Sequence, residues 1–427
     1  MQKGIKSRLS IHRILIALKN NSSNYDDVLK DEINKNKFTQ SDISLIQTTV
    51  LNSVRYNQYI KIILKEFITK KLNNDSYLLL LAAITQLIYL NFKEYAVTNS
   101  YVELSKNKTI KVFPGFVNAI LKNIIKNKDR LKKTKIDINC FPKWFLNQIN
   151  DLTTEQKNKI VKTQTEKPDL HLVFKDNFCL NNFLNHRLKN KKDIITSNNS
   201  LVVSEPTNIN QLPRYKDGEW WVQDYSAMLP LHLSQDLKNK TAIDLCAAPG
   251  GKTFQSLILK NKLDIVEKNS YRSEILLKNL QRLKFNKNII IKDALNIDNK
   301  KKYDFIIVDS PCSSVGTIRK NPEILFRESE ININMYTSIQ FKLLEKAVEL
   351  TKNKSTIIYM VCSFLETETT KQIEIFLKNN SNFSIKKFTS KDNKNLIDDQ
   401  GFIKTLPSEL DNFVKIDGFF AARLIRN

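Results

Sequence analysis

The stretch Thr241-Ala-Ile-Asp-Leu-Cys-Ala-Ala-Pro-Gly-Gly-Lys-Thr253 limits what this chain can fold into more than any other. A short apolar run of Ala242, Ile243 and Leu245 reads as a buried parallel strand. It ends at the Pro249-Gly250-Gly251 turn, after which Thr253-Phe-Gln-Ser-Leu-Ile-Leu259 has helical character. A strand, a glycine turn and a helix N-terminus in series expose backbone N–H groups and let a ligand come close. Glycine serves there because it has no Cβ to clash and tolerates unusual φ values. A phosphate loop needs G-x-x-x-x-G-K-[ST], and the position five before Gly251 is Cys246, so that loop is excluded. The dinucleotide pattern G-x-G-x-x-G is absent too. A nucleoside site remains, and it requires suitable groups at later strand ends.

From residue 213 onward strands and helices alternate, as in a doubly wound parallel sheet. The strand candidates are 242–245, 263–266, 289–291, 305–308, 356–361, 383–388 and 419–424. Seven strands with intervening helices predict a Rossmann-like methyltransferase sheet. Ligands of such sheets sit beyond the carboxyl ends of the strands, so the chemistry is expected just after residues 245, 266, 291, 308 and 361.

Those strand ends carry reactive groups. Glu267 follows the second strand, about 20 residues beyond the glycine turn, where a carboxylate accepts from both ribose hydroxyls. Asp293 follows the third, placed to accept from a nucleoside's polar edge. Asp309-Ser-Pro-Cys312 follows the fourth and Tyr359-Met-Val-Cys-Ser363 the fifth. A lone cysteine is usually a small buried hydrophobe, which suffices for Cys246. Cys312 and Cys362 instead stand where two strands leave the sheet for the ligand crevice, and packing does not call for that. Methylation of cytosine carbon 5 does. A thiolate adding at carbon 6 makes carbon 5 nucleophilic toward a sulfonium methyl group. A second group then removes the carbon-5 hydrogen so that the thiolate can leave. A carboxylic acid at N3, here Asp309, would stabilise the charge that develops.

The front of the chain differs. Ile11, Ile14, Leu15 and Leu18 form one helical stripe, Leu45, Ile46, Val50 and Val54 a second, and Ile60, Ile63, Leu64 and Phe67 a third. The segment 77–90 is apolar on nearly every side, as a central bundle helix would be. Net charge is +24, and residues 1–135 hold 24 lysines and arginines against 10 acids. Such an excess points to a polyanionic partner, though lysine and asparagine abundance with only 8 glycines also fits a biased genome. Lys126, Lys128, Arg130, Lys132, Lys133 and Lys135 cluster after the helix that Pro114-Gly115 opens. A charge run is usually a solvated face, but at a domain junction of a basic protein an RNA-contacting hinge is as plausible. Residues 136–212 are mixed, with strands at 171–174 and 201–203 around a helical piece near 181–189. The expected domains are 1–135, 136–212 and 213–427. Five dispersed cysteines argue against disulfides or a metal site and for a cytoplasmic protein with reduced thiols. The apolar segment at 78–84 is too short for a membrane span.

The segment from about 140 onward resembles the bacterial RNA 5-methylcytosine methyltransferases. Asp244-Leu-Cys-Ala-Ala-Pro-Gly-Gly-Lys-Thr253 looks like their cofactor motif, and Asp309-Ser-Pro-Cys-Ser313 is similar to their Asp-Ala-Pro-Cys-Ser. Tyr359-Met-Val-Cys-Ser363 is similar to their Tyr-Ala-Thr-Cys-Ser. Gln223-Asp224, Gly316-Thr-Ile-Arg319, Gly418-Phe-Phe420 and Pro142-Lys-Trp144 match as well. The resemblance implies S-adenosyl-L-methionine as cofactor, held by Cys246, Ala247, Ala248, Pro249, Gly250, Gly251, Lys252, Glu267, Asp293 and Asp309. It implies Cys362 as nucleophile, Cys312 as the group that assists product release and Asp309 as a contact to the cytosine ring. No metal is expected. Residues 1–130 are similar to the all-α NusB-like RNA-binding fold, best at Phe113-Pro-Gly-Phe-Val-Asn-Ala-Ile-Leu121, and the middle segment would be RRM-like. The fusion resembles the 16S rRNA enzymes acting on cytosine 967. The implied partner is 16S rRNA or an early small-subunit assembly intermediate, met by a monomer. Gln223, Asp224, Arg319, Lys126, Arg130, Lys132 and Lys133 are the expected RNA contacts. Ser310, Met360 and Val361 depart from the family pattern beside both cysteines, and His171-Leu-Val-Phe-Lys175 lacks the family's usual arginine and asparagine. A tRNA-directed enzyme, and a non-enzymatic RNA-binding or antitermination factor, remain alternatives.

Overall fold

The computed structural model describes residues 3–20, 25–187, 192–204, 208–328, 330–410 and 414–427. They form two compact units, Met1–Glu166 with Ile318–Ile331, and Lys167–Thr317 with Asn332–Asn427.

The first unit is helical. It contains α1 (Lys3–Asn20), α2 (Tyr25–Asn34), α3 (Gln40–Arg55), α4 (Asn57–Phe67), α5 (Asn74–Ile84), α6 (Glu94–Ser105), α7 (Pro114–Lys126), α8 (Lys128–Leu131), α9 (Lys143–Gln148) and α10 (Thr154–Thr163). Local chemistry sets the helix starts. Thr39 and Asp42 form a reciprocal capping box on α3, and Pro114 occupies the first turn of α7, where its missing N–H costs nothing. Helix α5 is apolar all round because it is the buried centre: Leu78 to Leu81, Ala83 and Ile84 are fully inaccessible. It runs on into a π-helical turn, Thr85–Tyr89, whose buried Thr85 hydroxyl donates to Leu81 O at 2.7 Å. Ile11, Ile14, Leu15, Leu18, Ile46, Val50, Ile60 and Ile63 join the same core.

In the second unit a small antiparallel sheet comes first. Its elements are β1 (Leu170–Phe174), α11 (Asn177–His186), β2 (Ile194–Ser197), β3 (Ser200–Val203) and β4 (Trp220–Val222), in spatial order β2-β3-β1-β4. Alternation along the strands divides its two faces. Leu172, Phe174, Leu201 and Val203 pack with Phe183 of α11, while Val173, Val202 and Trp221 belong to the core of the large sheet. The first compact unit also takes in α9 and α10, so it ends beyond residue 135. The closing strand β4 lies beyond 212, and one face of the small sheet is completed by the core of the large sheet. Of the helical piece expected near 181–189, Leu188 and Lys189 lie outside the described residues.

The rest is α12 (Tyr225–His232), β5 (Thr241–Asp244), α13 (Gly251–Ile258), β6 (Lys262–Ile265), α14 (Ser270–Arg282), β7 (Tyr303–Asp309), α15 (Ile333–Leu350), β8 (Thr351–Val361), α16 (Thr370–Asn379), β9 (Phe383–Ile385), β10 (Ile403–Thr405), the short pair β11 (Ser408–Glu409) and β12 (Lys415–Ile416), and β13 (Phe419–Arg426). The large sheet has seven strands, ordered β10-β13-β8-β7-β5-β6 with β9 on β13. Strands β8, β7, β5 and β6 are parallel, and β13 runs antiparallel to β8, β9 and β10. The Rossmann-like expectation holds with one exchange of strands. The segment 289–291 makes only a single bridge, Val266 to Ile290, with Ile290 and Ile291 exposed, whereas β10 supplies the seventh strand. The strand expected at 383–388 stops at Ile385.

Candidate active site

The glycine turn leaves β5 and enters α13. Gly250 has φ +119°, and a Cβ there would lie 2.2 Å from Phe254 Cζ, so only glycine fits. A Cβ on Gly251 would lie 2.9 Å from Gln223 Cδ. Thr253 Oγ1 donates to Asp244 Oδ2 at 2.6 Å, while Asp244 Oδ1 is buried without a hydrogen-bond partner. Burial drives the Asp244 carboxyl up to about 7. The Thr253 hydroxyl and Lys252 oppose that rise, and the charge of Asp309 adds to it.

Glu267 is buried at the end of β6 and ties this strand to the turn. Its carboxylate accepts from Ala248 N at 3.2 Å and Asn269 N at 2.9 Å. Arg272 donates to Ala248 O from the first turn of α14, an anchor that no periodic pattern singles out. Asp293 accepts from Leu295 N at 3.0 Å and stands 4.0 Å from Lys268. A close backbone cradle, an orphaned acceptor and a buried carboxylate on the next strand suit a nucleoside with a cationic sulfonium, which brings positive charge and hydroxyl donors. The thiol of Cys246 is held far above its ordinary value by burial and then by Asp244, Asp309 and Glu267. It packs against the apolar cluster that includes Ile243 and Leu245.

Lys252 turns inward from the helix start. Its Nζ lies 2.8 Å from Asp309 Oδ2 at the end of β7 and 5.3 Å from the centre of the Phe419 ring. Burial pulls this ammonium down, but Asp309 and then the Cys362 sulfur outweigh that and raise it. Strands β7 and β8 are in register there, Asp309 opposite Met360, and Ser310 N donates to Met360 O at 3.0 Å. Cys312 and Cys362 therefore leave the sheet side by side. Cys362 continues the face of Ile358 and Met360, and Cys312 packs against the cluster on the other face. Beyond the strand ends each sulfur lies in the field of the other. The Cys312 thiol is pushed well up by burial first, then by Cys362 and Glu368, with Ser314 opposing. Gly316 N donates to Cys362 O at 3.1 Å and Gly418 N to Gly316 O at 2.9 Å. A Cβ on Gly316 would sit 1.9 Å from Gly418 O.

Three expected RNA contacts are placed elsewhere. Gln223 is buried, accepts from Trp221 Nε1 at 2.8 Å and donates to Gln255 Oε1 at 2.8 Å, so it supports the glycine turn. Asp224 is buried and caps α12, accepting from Ser226 N at 3.0 Å and Asp417 N at 3.2 Å. Arg319 is fully buried in the first unit, donating from Nε to Thr163 O at 3.3 Å with Glu166 3.7 Å from its terminal nitrogen. A polar residue beside a motif reads as surface, yet these three are satisfied in the interior, each by at least one partner distant in sequence. Lys126, Arg130, Lys132 and Lys133 are exposed as expected, Arg130 pairing with Glu66 at 2.7 Å.

Residues 232–425 match the family described as 16S rRNA methyltransferase RsmB/F, and residues 5–126 match the NusB family. Ribosomal RNA small subunit methyltransferase B of Cronobacter sakazakii is 24% identical over 410 residues, covering 92% of each chain. The probable ribosomal RNA small subunit methyltransferase B of Coxiella burnetii is 26% identical over 359 residues, covering 78% of this chain and 82% of the relative. The crystal structure of PH0851 superposes over 98% of both chains with a TM-score of 0.72 at 18% identity. That of NSun6 from Pyrococcus horikoshii with SFG covers 67% of this chain and 98% of its own with a TM-score of 0.55 at 15% identity, a likeness of fold. With the sheet, glycine turn and helical front unit as described, the chain carries a methyltransferase domain of the S-adenosylmethionine-dependent 16S rRNA methyltransferase RsmB/F family together with a NusB-family domain.

Proposed function

We propose that this enzyme methylates carbon 5 of one cytosine in 16S rRNA, cytosine 967, through a covalent bond from Cys362 to carbon 6 that is resolved with the help of Cys312. The observation that carries the reading is Lys252. From the glycine turn it holds Asp309 at 2.8 Å and shares its field with the Cys362 sulfur, so the cofactor motif and both cysteine motifs act on one volume.

The cofactor site is the turn 246–252 with Glu267 and Asp293 beyond the next two strand positions. When bound, the cofactor supplies an electrophilic methyl group and departs as a neutral thioether. The rest falls to the protein. The Cys362 thiolate forms the S–C6 bond as the C5–C6 π electrons move into the ring, and Asp309, taking a proton from the Lys252 ammonium 2.8 Å away, donates it at the N3 edge to neutralise the charge that develops. Carbon 5 then takes the methyl group. Once the Cys312 thiol has given up its own proton to solvent, its thiolate takes the carbon-5 proton, which re-forms the double bond and expels the Cys362 thiolate. The Lys252 ammonium favours the anionic nucleophile, and burial keeps Cys312 from competing as one.

The substrate base is unstacked to reach the thiols, at a cost of about a few kcal/mol. Phosphate contacts from Lys126, Arg130, Lys132 and Lys133 offset it. The relatives' names favour ribosomal RNA, free or in an early small-subunit intermediate. The enzyme works as a monomer in the cytoplasm, where reduced thiols and ribosomal RNA occur together. No helix among the described residues is long and apolar enough to cross a membrane. Denaturing gels test the mechanism. Cys362→Ala should abolish methyl transfer, and Cys312→Ala should leave RNA covalently attached. A Cys312→Ala enzyme without adduct refutes the assignment of the two thiols. Bisulfite sequencing of RNA from cells lacking the protein tests the target, and loss of a tRNA mark instead would overturn it.

A further inference from the structure

Six residues beyond Cys362, Glu368 is fully buried, and the partners of its carboxylate among the described residues are hydroxyls and amides. Oε1 accepts from Ser313 N at 2.9 Å and from Gln340 Nε2 at 3.0 Å, and Oε2 accepts from the Ser363 hydroxyl at 2.6 Å and from that of Ser313. Ser313 directly follows Cys312, and Ser363 directly follows Cys362. One carboxylate therefore joins the two loops that leave β7 and β8. The connection is braced from behind. Tyr359 donates from its hydroxyl to Glu368 O at 2.8 Å, and Gln340 also donates to Pro311 O at 3.1 Å, one residue before Cys312. Burying an ion is costly unless every lone pair is used. Ser313 Oγ also donates to Ser363 Oγ at 3.3 Å, so the carboxylate and both hydroxyls form one connected network.

We propose that Glu368 is the positioning residue of the two-thiol site. It locks the Cys312 loop to the Cys362 loop so that the group that attacks and the group that removes the proton reach one pyrimidine from a fixed separation. This rests on the covalent mechanism proposed above. The two cysteines pack toward opposite faces of the sheet, so the β7–β8 ladder cannot set their spacing once the strands end, and the carboxylate does it instead.

Glu368→Gln keeps size and shape but presents an NH2 group where a serine hydroxyl or amide now donates. The S-adenosylmethionine affinity of this variant should stay within about two- to threefold of wild type and its melting temperature close to it, because the glycine turn is untouched. Single-turnover methyl transfer should fall by about 10- to 100-fold, the usual effect of displacing a reacting group by about 1 Å. Protein–RNA adduct should accumulate, since release suffers more than attack, and Glu368→Asp should recover part of the rate. A parallel fall in melting temperature, cofactor affinity and rate, with no adduct, would mark a residue that only stabilises the fold and would overturn the proposal. Wild-type rates in Glu368→Gln would do the same. Cys312→Ala run alongside separates the two readings. Adduct with Cys312→Ala and none with Glu368→Gln removes the positioning role alone, whereas no adduct with either removes the covalent reading and this inference with it.

Discussion

Asp244 makes the interior of the site readable through stability alone. Its side chain is inaccessible, one oxygen takes the Thr253 hydroxyl at 2.6 Å and the other has no hydrogen-bond partner. Burial raises the carboxyl from 3.8 to about 7 in the folded protein. Because the folded value lies above the unfolded one, the native state carries no ionisation cost below about pH 4. The cost grows as pH rises and is complete above the folded value. About three units at about 1.4 kcal/mol each give a ceiling of about 4 kcal/mol at pH 8. At pH 5 the same linkage gives about 2 kcal/mol, so the contribution changes by about 2–3 kcal/mol between the two. Asp244→Asn retains an oxygen for Thr253 and removes the titration. Urea unfolding of both proteins from pH 5 to pH 8 should show the variant gaining on wild type by about 1–3 kcal/mol toward the alkaline end. Any fixed offset from the new amide cancels in that comparison. A difference independent of pH, or one that shrinks as pH rises, would mean that Asp244 is ionised and satisfied in the fold.

Gly250→Ala places a Cβ 2.2 Å from the Phe254 ring at φ +119°, so calorimetry should show cofactor affinity lower by at least about tenfold, more than about 1.4 kcal/mol. Replacing Lys126, Lys132 and Lys133 together by glutamine should weaken RNA binding and reduce the slope of log affinity against log salt by about two to three; an unchanged slope would remove that surface from the RNA contact. Arg319→Met should cost about 1.5–3 kcal/mol of stability by removing the donor to Thr163 O and the cation beside Glu166, while RNA affinity per folded molecule stays as it was.

Period and spacing make a good part of this legible. The stripes through Ile11, Ile46 and Ile60 are buried as their spacing requires, and the apolar segment around Leu78 is the central helix, because both follow from one face or all faces meeting the core. Strands at 305–308 and 356–361 are long and apolar, and the structure extends them at their ends. Strand β10 has no local signal, because Ile403–Thr405 is three residues long and its place beside β13 is a long-range pairing. The segment 289–291 misleads for the complementary reason. Three isoleucines have strand propensity, yet with Ile290 and Ile291 exposed they gain no ladder beyond one bridge. At the site, the cysteines and carboxylates at strand ends can be found by position. Glu368 and Arg272 cannot, since each acts on residues brought near only by the fold.

The turn's Gly-Gly-Lys-Thr ending shows how far a residue pattern can mislead without its surroundings. In a phosphate loop the lysine would face the ligand's phosphates and the threonine a metal ion. Here Lys252 is engaged by Asp309, and Thr253 donates inward to Asp244. Both side chains are thus committed to carboxylates of neighbouring strands. Asp309 and Glu267, with Asp244 where it is ionised, outweigh the Lys252 ammonium and the Arg272 guanidinium around the turn. A triphosphate would meet repulsion there. A ligand with its own cationic centre, hydroxyls for Glu267 and no phosphate would be drawn in, and S-adenosylmethionine has those properties. The same commitment of Lys252 leads on to the second substrate. The ammonium that pairs with Asp309 also lies in the field of the Cys362 sulfur, so under the covalent mechanism proposed above one lysine would serve both the glycine turn and the attacking sulfur.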